Sequence, residues 1–295
     1  MTSCPLRPER IENLSPDELS ECKREAKMGL QLHAHYLSAS SRTVLTFLAA
    51  NPEIKVDVVE KDFTKGELRT KEYREINPMG RLPFLIDGPE HFRLWGALPI
   101  CLYLEEKFGP AELSAPLIPV ALKPKAKVHE WSNWFYHTIG PKVGAYVDRV
   151  FIKPTVNGEP KPEDKELEEL ARGVNEAIAE LEACFPDGQK WLVPAVPGVD
   201  QEVGSLADVR CAQKLVMLRP TPYDIEGAEF QELVISLRPT PYDIEGAEFQ
   251  EKYPKVFRWL ERIQADPAFQ RANEKWTAFL EPLGFLDPAR KKAGA

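Results

Sequence analysis

Three groups of residues in this chain have side chains able to do chemistry. The first is Ser38-Ala39-Ser40-Ser41-Arg42, a run of hydroxyls and a guanidinium standing just before a helical pattern. A serine at such a place has two uses. Its oxygen can cap the helix by accepting a backbone N–H, and its hydroxyl proton can be donated to something else. The second group is His33 with His35, which at i and i+2 on a strand point the same way. No neighbouring His, Cys or carboxylate completes a metal-ligand set around them, so a same-face pair on a sheet is expected, and no metal. The third group is the cysteines, Cys4, Cys22, Cys101, Cys184 and Cys211, scattered and without a CxxC. An odd number at wide spacing reads as free thiols in a reducing compartment, which makes the cytosol the expected location.

The elements that must position these groups can be read from periodicity. Residues 30–36 have the length and composition of a strand, residues 43–50 form a helix ended by Asn51-Pro52, and residues 55–60 (KVDVVE) alternate as a second strand. Together they make a βαβ unit. Asn77-Pro78-Met79-Gly80 is a turn signal, followed by the apolar strand 81–86, which Pro83 interrupts. Proline cannot donate to a sheet ladder and belongs at an edge or in a special turn. Asp87-Gly88 reads as a hairpin turn into a short strand at 91–94. After Gly96 a helix is expected, with Leu98, Cys101, Leu102 and Leu104 apolar and Glu105, Glu106 and Lys107 at its exposed end. Strand, proline, hairpin, strand and helix are the second half of a thioredoxin-like fold.

These motifs resemble the glutathione S-transferase family, and its theta-like, serine-type branch above all. Leu37-Ser38 followed by a turn and Arg42 is similar to the family's end of the first strand, with Ser40 where a proline is usual. Leu82-Pro83 matches its cis proline, beside which an exposed backbone pairs with the peptide part of glutathione. The resemblance makes Ser38 the candidate catalytic residue. Its hydroxyl would donate a hydrogen bond to the bound thiolate, favour the charged form and so sharpen the nucleophile. Arg81 would offer a cation to a glutathione carboxylate. The pattern is incomplete in two places. The Glu-Ser or Gln-Ser pair that binds the γ-glutamyl end falls on Gly96-Ala97, and the position of a histidine that contacts the glycyl carboxylate falls on Leu68.

The rest of the chain follows the same plan. Residues 1–28 form an extension with one charged helix after Ser15-Pro16. Residues 29–108 are the thioredoxin-like domain, and the proline-rich stretch 109–125 is a linker. Residues 126–295 are a helical domain. Its first helix carries Val128, Trp131, Trp134, Phe135, Thr138 and Ile139 at helical spacing, a stripe expected in the core. The resemblance adds Trp131, Trp134 and His137 as residues of an electrophile pocket. A second helix is expected over 162–185. Ser205-Leu206-Ala207-Asp208 is a capping-box signature at the head of the family's buried central helix. Residues 218–232 (LRPTPYDIEGAEFQE) then recur without change at 237–251, a tandem duplication. One copy is expected to take the native place, before a helix at 253–265, and the other to be extruded. A last helix is expected to end near 280, with a short basic tail.

Composition excludes several classes. The 295 residues are 43% hydrophobic and 28% charged, as in an ordinary globular chain. A net charge of −8 argues against a nucleic-acid binder held by phosphate contacts. No apolar run reaches the roughly 20 residues of a membrane helix. The N-terminal stretch also lacks the apolar core of a signal peptide. The fold class is therefore α/β plus all-α. The resemblance implies a transferase that joins glutathione to a small hydrophobic electrophile, with no cofactor beyond glutathione as co-substrate, and in the manner of the family a homodimer. The alternative is a non-catalytic protein of the same fold, serving as a scaffold or binding subunit for a protein partner.

Overall fold

The structure is a computed structural model and describes residues 29–88, 92–154, 158–185, 187–194, 204–218, 244 and 247–281. The N-terminal extension, the first copy of the duplication after Leu218 and the basic tail lie outside the described residues. The chain divides into two compact units, residues 1–116 and 117–295.

The first unit is built on a four-stranded sheet of order β2-β1-β3-β4. β1 (Leu30–Ala34) pairs parallel with β2 (Val56–Glu60) and antiparallel with β3 (Phe84–Asp87), and β3 pairs antiparallel with β4 (Phe92–Trp95). Asp87 pairs with Phe92, and the expected strand start at 91 lies outside the described residues. α1 (Ala39–Ala50) joins β1 to β2, and α2 (Lys71–Ile76) precedes β3. α3 (Ala97–Phe108) follows β4 and packs on α1. Leu32, Leu85, Val44, Phe47, Ile100, Cys101 and Leu104 are all completely buried.

Two residues of the expected linker, Ser114 and Ala115, are hydrogen-bonded to the segment that ends α1. Asn51, which caps the end of α1, donates to the Ala115 carbonyl at 3.1 Å and accepts the Ala115 N–H at 2.9 Å. The Glu53 carboxylate accepts from the Ser114 N–H at 2.6 Å and from its hydroxyl at 3.0 Å. The first helix of the second unit, α4 (Leu122–His137), also starts four residues before the expected boundary. Pro124 occupies its first turn, where a missing N–H costs no intrahelical bond.

The second unit is helical. α5 (Ile139–Val147) follows α4 directly and packs on α6 (Asp164–Cys184). α7 (Leu206–Leu215) is the central element and contacts both α4 and α5. The sequence expects this helix to begin at a capping box, and it does. Asp208 accepts from the Ser205 N–H at 2.8 Å and the Ser205 hydroxyl at 2.7 Å. It also accepts from the Leu192 N–H at 2.8 Å and from Trp259 Nε1 at 2.9 Å. Trp259 belongs to α9 (Pro254–Gln264), which packs on α7 and on α10 (Pro267–Leu280). In the second copy of the repeat, Ile244 and Phe249 are buried, and α8 (Ala247–Lys252) leads into α9.

Asp208 is fully buried, and burial pushes its carboxyl above the usual range against the pull of its four donors. Asp208→Ala leaves the Leu192 N–H and the Trp259 indole N–H buried without an acceptor. Each such orphan costs about 1–3 kcal/mol. The variant is expected to lose about 3 kcal/mol or more of stability, read from the midpoint shift in urea unfolding.

Candidate functional site

The register of the sheet brings several expected site residues to one end of the first unit. β1 ends as β3 begins, with His33 opposite Phe84. Phe84 is also opposite Trp95 at the end of β4, and the Gly96 N–H donates to the Pro83 carbonyl at 3.1 Å. On the other side, the Lys61 N–H donates to the Ala34 carbonyl at 2.9 Å. The turn into Ser38, the Leu82-Pro83 segment and the start of α3 therefore share one edge.

Ser38 is the N-cap of α1, with extended backbone (φ −87°, ψ 110°). Its Oγ accepts the Ser41 N–H at 3.2 Å. Of the three serines that could cap this helix, Ser38 does so. Capping uses the oxygen as an acceptor, and no described residue takes the hydroxyl proton. Ser38 is half-buried, while Ser41 is buried, its oxygen accepting the His35 N–H at 3.3 Å. Arg42 is wholly inside and donates to the Tyr36 carbonyl at 2.5 Å, so it holds the turn that delivers Ser38.

The Leu82-Pro83 peptide bond is cis, as the sequence motif implies. The Arg81 carbonyl is held by Asn77 Nδ2 at 3.0 Å, and the Arg81 side chain is exposed. Among the described residues nothing hydrogen-bonds to the Leu82 backbone. Gly96 is the N-cap of α3 at φ 91°, ψ 141°, with no side chain to cap the helix. Ala97 is buried at the first helical position. Trp95 just before them is 47% exposed. Leu68 is a core residue, so its position offers no polar group to a ligand.

Both histidines have partners within the fold. His35 Nδ1 accepts the Leu37 N–H at 3.3 Å, leaving Nε2 to carry the proton 3.6 Å from Asp62 Oδ1. Asp62 was not singled out from the sequence. Burial opposes its charged form, but hydrogen bonds from Thr64 and Lys65 win and hold its carboxyl below the usual range. His33 lies within 3.1 Å of the Tyr73 hydroxyl and 2.9 Å of Gln31 Oε1. Burial pulls its pKa down to about 4, the Lys61 charge adding to the effect and Asp57 opposing it.

Trp131, Trp134 and His137 belong to the second unit. The expected stripe is corrected there: the buried line of α4 runs through Val128, Ser132 and Phe135, and Ile139 continues it in α5. Trp131 and Trp134 flank that line, half-buried, with ring centroids 5.5 Å apart and edge-on. Trp134 Nε1 donates to Glu180 of α6 at 2.6 Å, and His137 is exposed. Aromatic spacing alone does not say which flank of a helix is covered.

Residues 32–112 match the family model described as "Glutathione S-transferase, N-terminal domain". That match, ahead of a mostly helical unit, gives the first unit the likeness of a glutathione S-transferase N-terminal domain. The relatives the chain resembles include theta-class proteins. It is 29% identical over 198 residues to human glutathione S-transferase theta-2B, covering 67% of this chain and 75% of that protein. It is 28% identical over 193 residues to glutathione S-transferase T2 of Arabidopsis thaliana, covering 65% of this chain but 30% of that protein's length. Among solved structures, human glutathione-S-transferase T1-1 in its apo form aligns over 90% of this chain and 95% of its own, with a TM-score of 0.65 at 24% identity. No helix among the described residues is long and apolar enough to cross a membrane.

The His33 environment makes stability depend on pH with a definite sign. Its folded pKa of about 4 lies below the unfolded value of about 6.5, so the unfolded state binds the proton first. Stability from this group is fully present above about pH 6.5 and is lost as pH falls toward 4, by roughly 2–3 kcal/mol. Urea unfolding across this range should show the decline, and His33→Gln should remove most of its slope.

Proposed function

We propose that the chain binds glutathione along the Leu82-Pro83 edge and that the Ser38 hydroxyl stabilises its thiolate for transfer to a small electrophile. The observation that carries this reading is the register of β1 and β3, which sets the uncommitted Ser38 proton and the unpaired Leu82 backbone on one edge. The peptide part of glutathione would take the Leu82 N–H and carbonyl. The γ-glutamyl carboxylate would meet the free N–H groups that open α3, a 12-residue helix with positive potential at that end. Arg81, exposed beside the edge, would offer a cation to the glycyl carboxylate. The aromatic flank of Trp131 and Trp134, with His137, is where the electrophile would be held. A homodimer in the cytosol is the expected form.

Gly96, Ala97 and Leu68 favour a second reading, a non-catalytic binding or scaffold subunit of this fold. Each lost hydrogen bond to a charged group is worth about 1.5–3 kcal/mol, so two losses weaken glutathione by about a hundredfold or more.

Calorimetry with glutathione and ultraviolet absorbance of the bound thiolate separate the two. In the parent, bound glutathione is expected to show thiolate absorbance at neutral pH. Ser38→Gly should abolish that absorbance while costing only a few tenths of a kcal/mol in stability, because glycine is a tolerated N-cap. Unchanged thiolate in Ser38→Gly would sink the serine mechanism.

Ala97→Ser restores a hydroxyl donor at the first position of α3 and is expected to tighten glutathione about tenfold. No detectable binding in the parent, with binding regained in Ala97→Ser, would establish the non-catalytic reading.

A further inference from the structure

Arg210 lies in the middle of α7, is only 3% exposed, and meets no carboxylate among the described residues. Its guanidinium carbon is 4.8 Å from the Phe135 ring centroid and 4.5 Å from that of Tyr136. Nη1 is buried with no hydrogen-bond acceptor. The nearest acid in sequence, Asp208, cannot serve, since residues two apart on a helix do not face each other and its oxygens already take four donors. Cys211 is buried and its thiol is pushed up to about 12, so it supplies no anion.

The facing helix repeats the pattern. Ser132 of α4 is buried, and its Oγ also lacks a partner. Phe135 and Tyr136, one turn further on, stack on Arg210. Arg210 and Ser132 thus each bring a buried polar atom without a partner, from two helices that pack together. Tyr136 is 49% exposed, so its ring is the wall nearest solvent.

We infer that α4 and α7 form a binding site for a small organic carboxylate, with Arg210 as its cation, Ser132 as a second donor, and Phe135 and Tyr136 against its apolar body. The planar guanidinium fork matches the two oxygens of a carboxylate. A cation buried without an anion is costly to the fold, and breaking even requires a partner of opposite charge. The site lies wholly within the second unit and does not rest on the glutathione reading.

The test is a titration of the full chain with benzoate, acetate and sulfate, at constant ionic strength set with chloride, followed by calorimetry and thermal melting. Benzoate is expected to bind saturably in the millimolar range or below, more tightly than acetate, which lacks the ring, and than sulfate, which lacks the planar fork. Arg210→Met should weaken benzoate at least tenfold while melting no lower than the parent in chloride alone, because it removes an unpaired buried charge. Ser132→Ala should weaken it severalfold, and Ser38→Gly should leave it unchanged. Should Arg210→Met not fold, Arg210→Lys, which keeps the charge without the fork, is expected to weaken benzoate in its place. Absence of saturable benzoate binding in the parent, as when water alone satisfies both donors, overturns the proposal. So does binding that survives loss of the guanidinium, or sulfate binding as tight as benzoate.

Discussion

The antiparallel pairing of β1 with β3 is the contact on which every part of the candidate site depends. Its central pair is Leu32 with Leu85, both completely buried, and these are the two inner strands of the sheet. A slip of β1 by one residue would turn Leu32 to the opposite face and bring polar Gln31 into the core. Apolar burial therefore locks the register. The lock then places His33 opposite Phe84, Phe84 opposite Trp95, and Pro83 within reach of the Gly96 N–H. The meeting of the Ser38 turn with the Leu82 backbone follows from core packing, and no residue of the site has to supply it.

The second unit relies on a buried carboxylate in place of a sheet. Asp208 joins the start of α7, the Leu192 backbone and the α9 indole through one side chain. Burying a carboxylate is unfavourable unless its lone pairs are occupied, and here four donors occupy them. Arg210, two residues on, is the opposite case: a buried charge of the other sign with rings but no acceptor around it. The same helix thus contains one charge that the fold uses to assemble itself and one that it leaves available.

Much of the fold was legible because the signals were local. Alternation in residues 55–60, the turn at 77–80 and the serine-to-aspartate spacing at 205–208 each act within a few residues, and the structure has β2, the entry to β3 and the head of α7 there. The early start of α4 was hidden because Pro124 reads as a breaker, although it is harmless in a first turn. The flank position of Trp131 and Trp134 was hidden for a different reason. An aromatic stripe at three and four residues fits either side of a helix, and only the neighbours α6 and α7 decide which side is covered. Arg210 could have been noticed as a charge between the apolar residues Val209 and Cys211 of a helix expected to be central. Its pairing with Phe135 and Tyr136 depends on tertiary contact that no spacing encodes.

The three gaps at the site edge are physically different from one another. Leu68 fills core volume, so a polar replacement there would have to be buried. Gly96 sits at φ 91°, ψ 141°, a region that an L side chain occupies only with about 1–3 kcal/mol of strain. Its lack of a side chain is therefore matched to its backbone. Ala97 is buried too, but it is the first residue of a regular helix, where the one added oxygen of a serine is a far smaller change. Two of the three positions are thus set by the structure of the first unit, and one is open to change. In the proposed reading a ligand at this edge would rely mainly on backbone groups, those of Leu82 and of the first turn of α3, with the Ser38 hydroxyl and the Arg81 guanidinium as the side-chain donors.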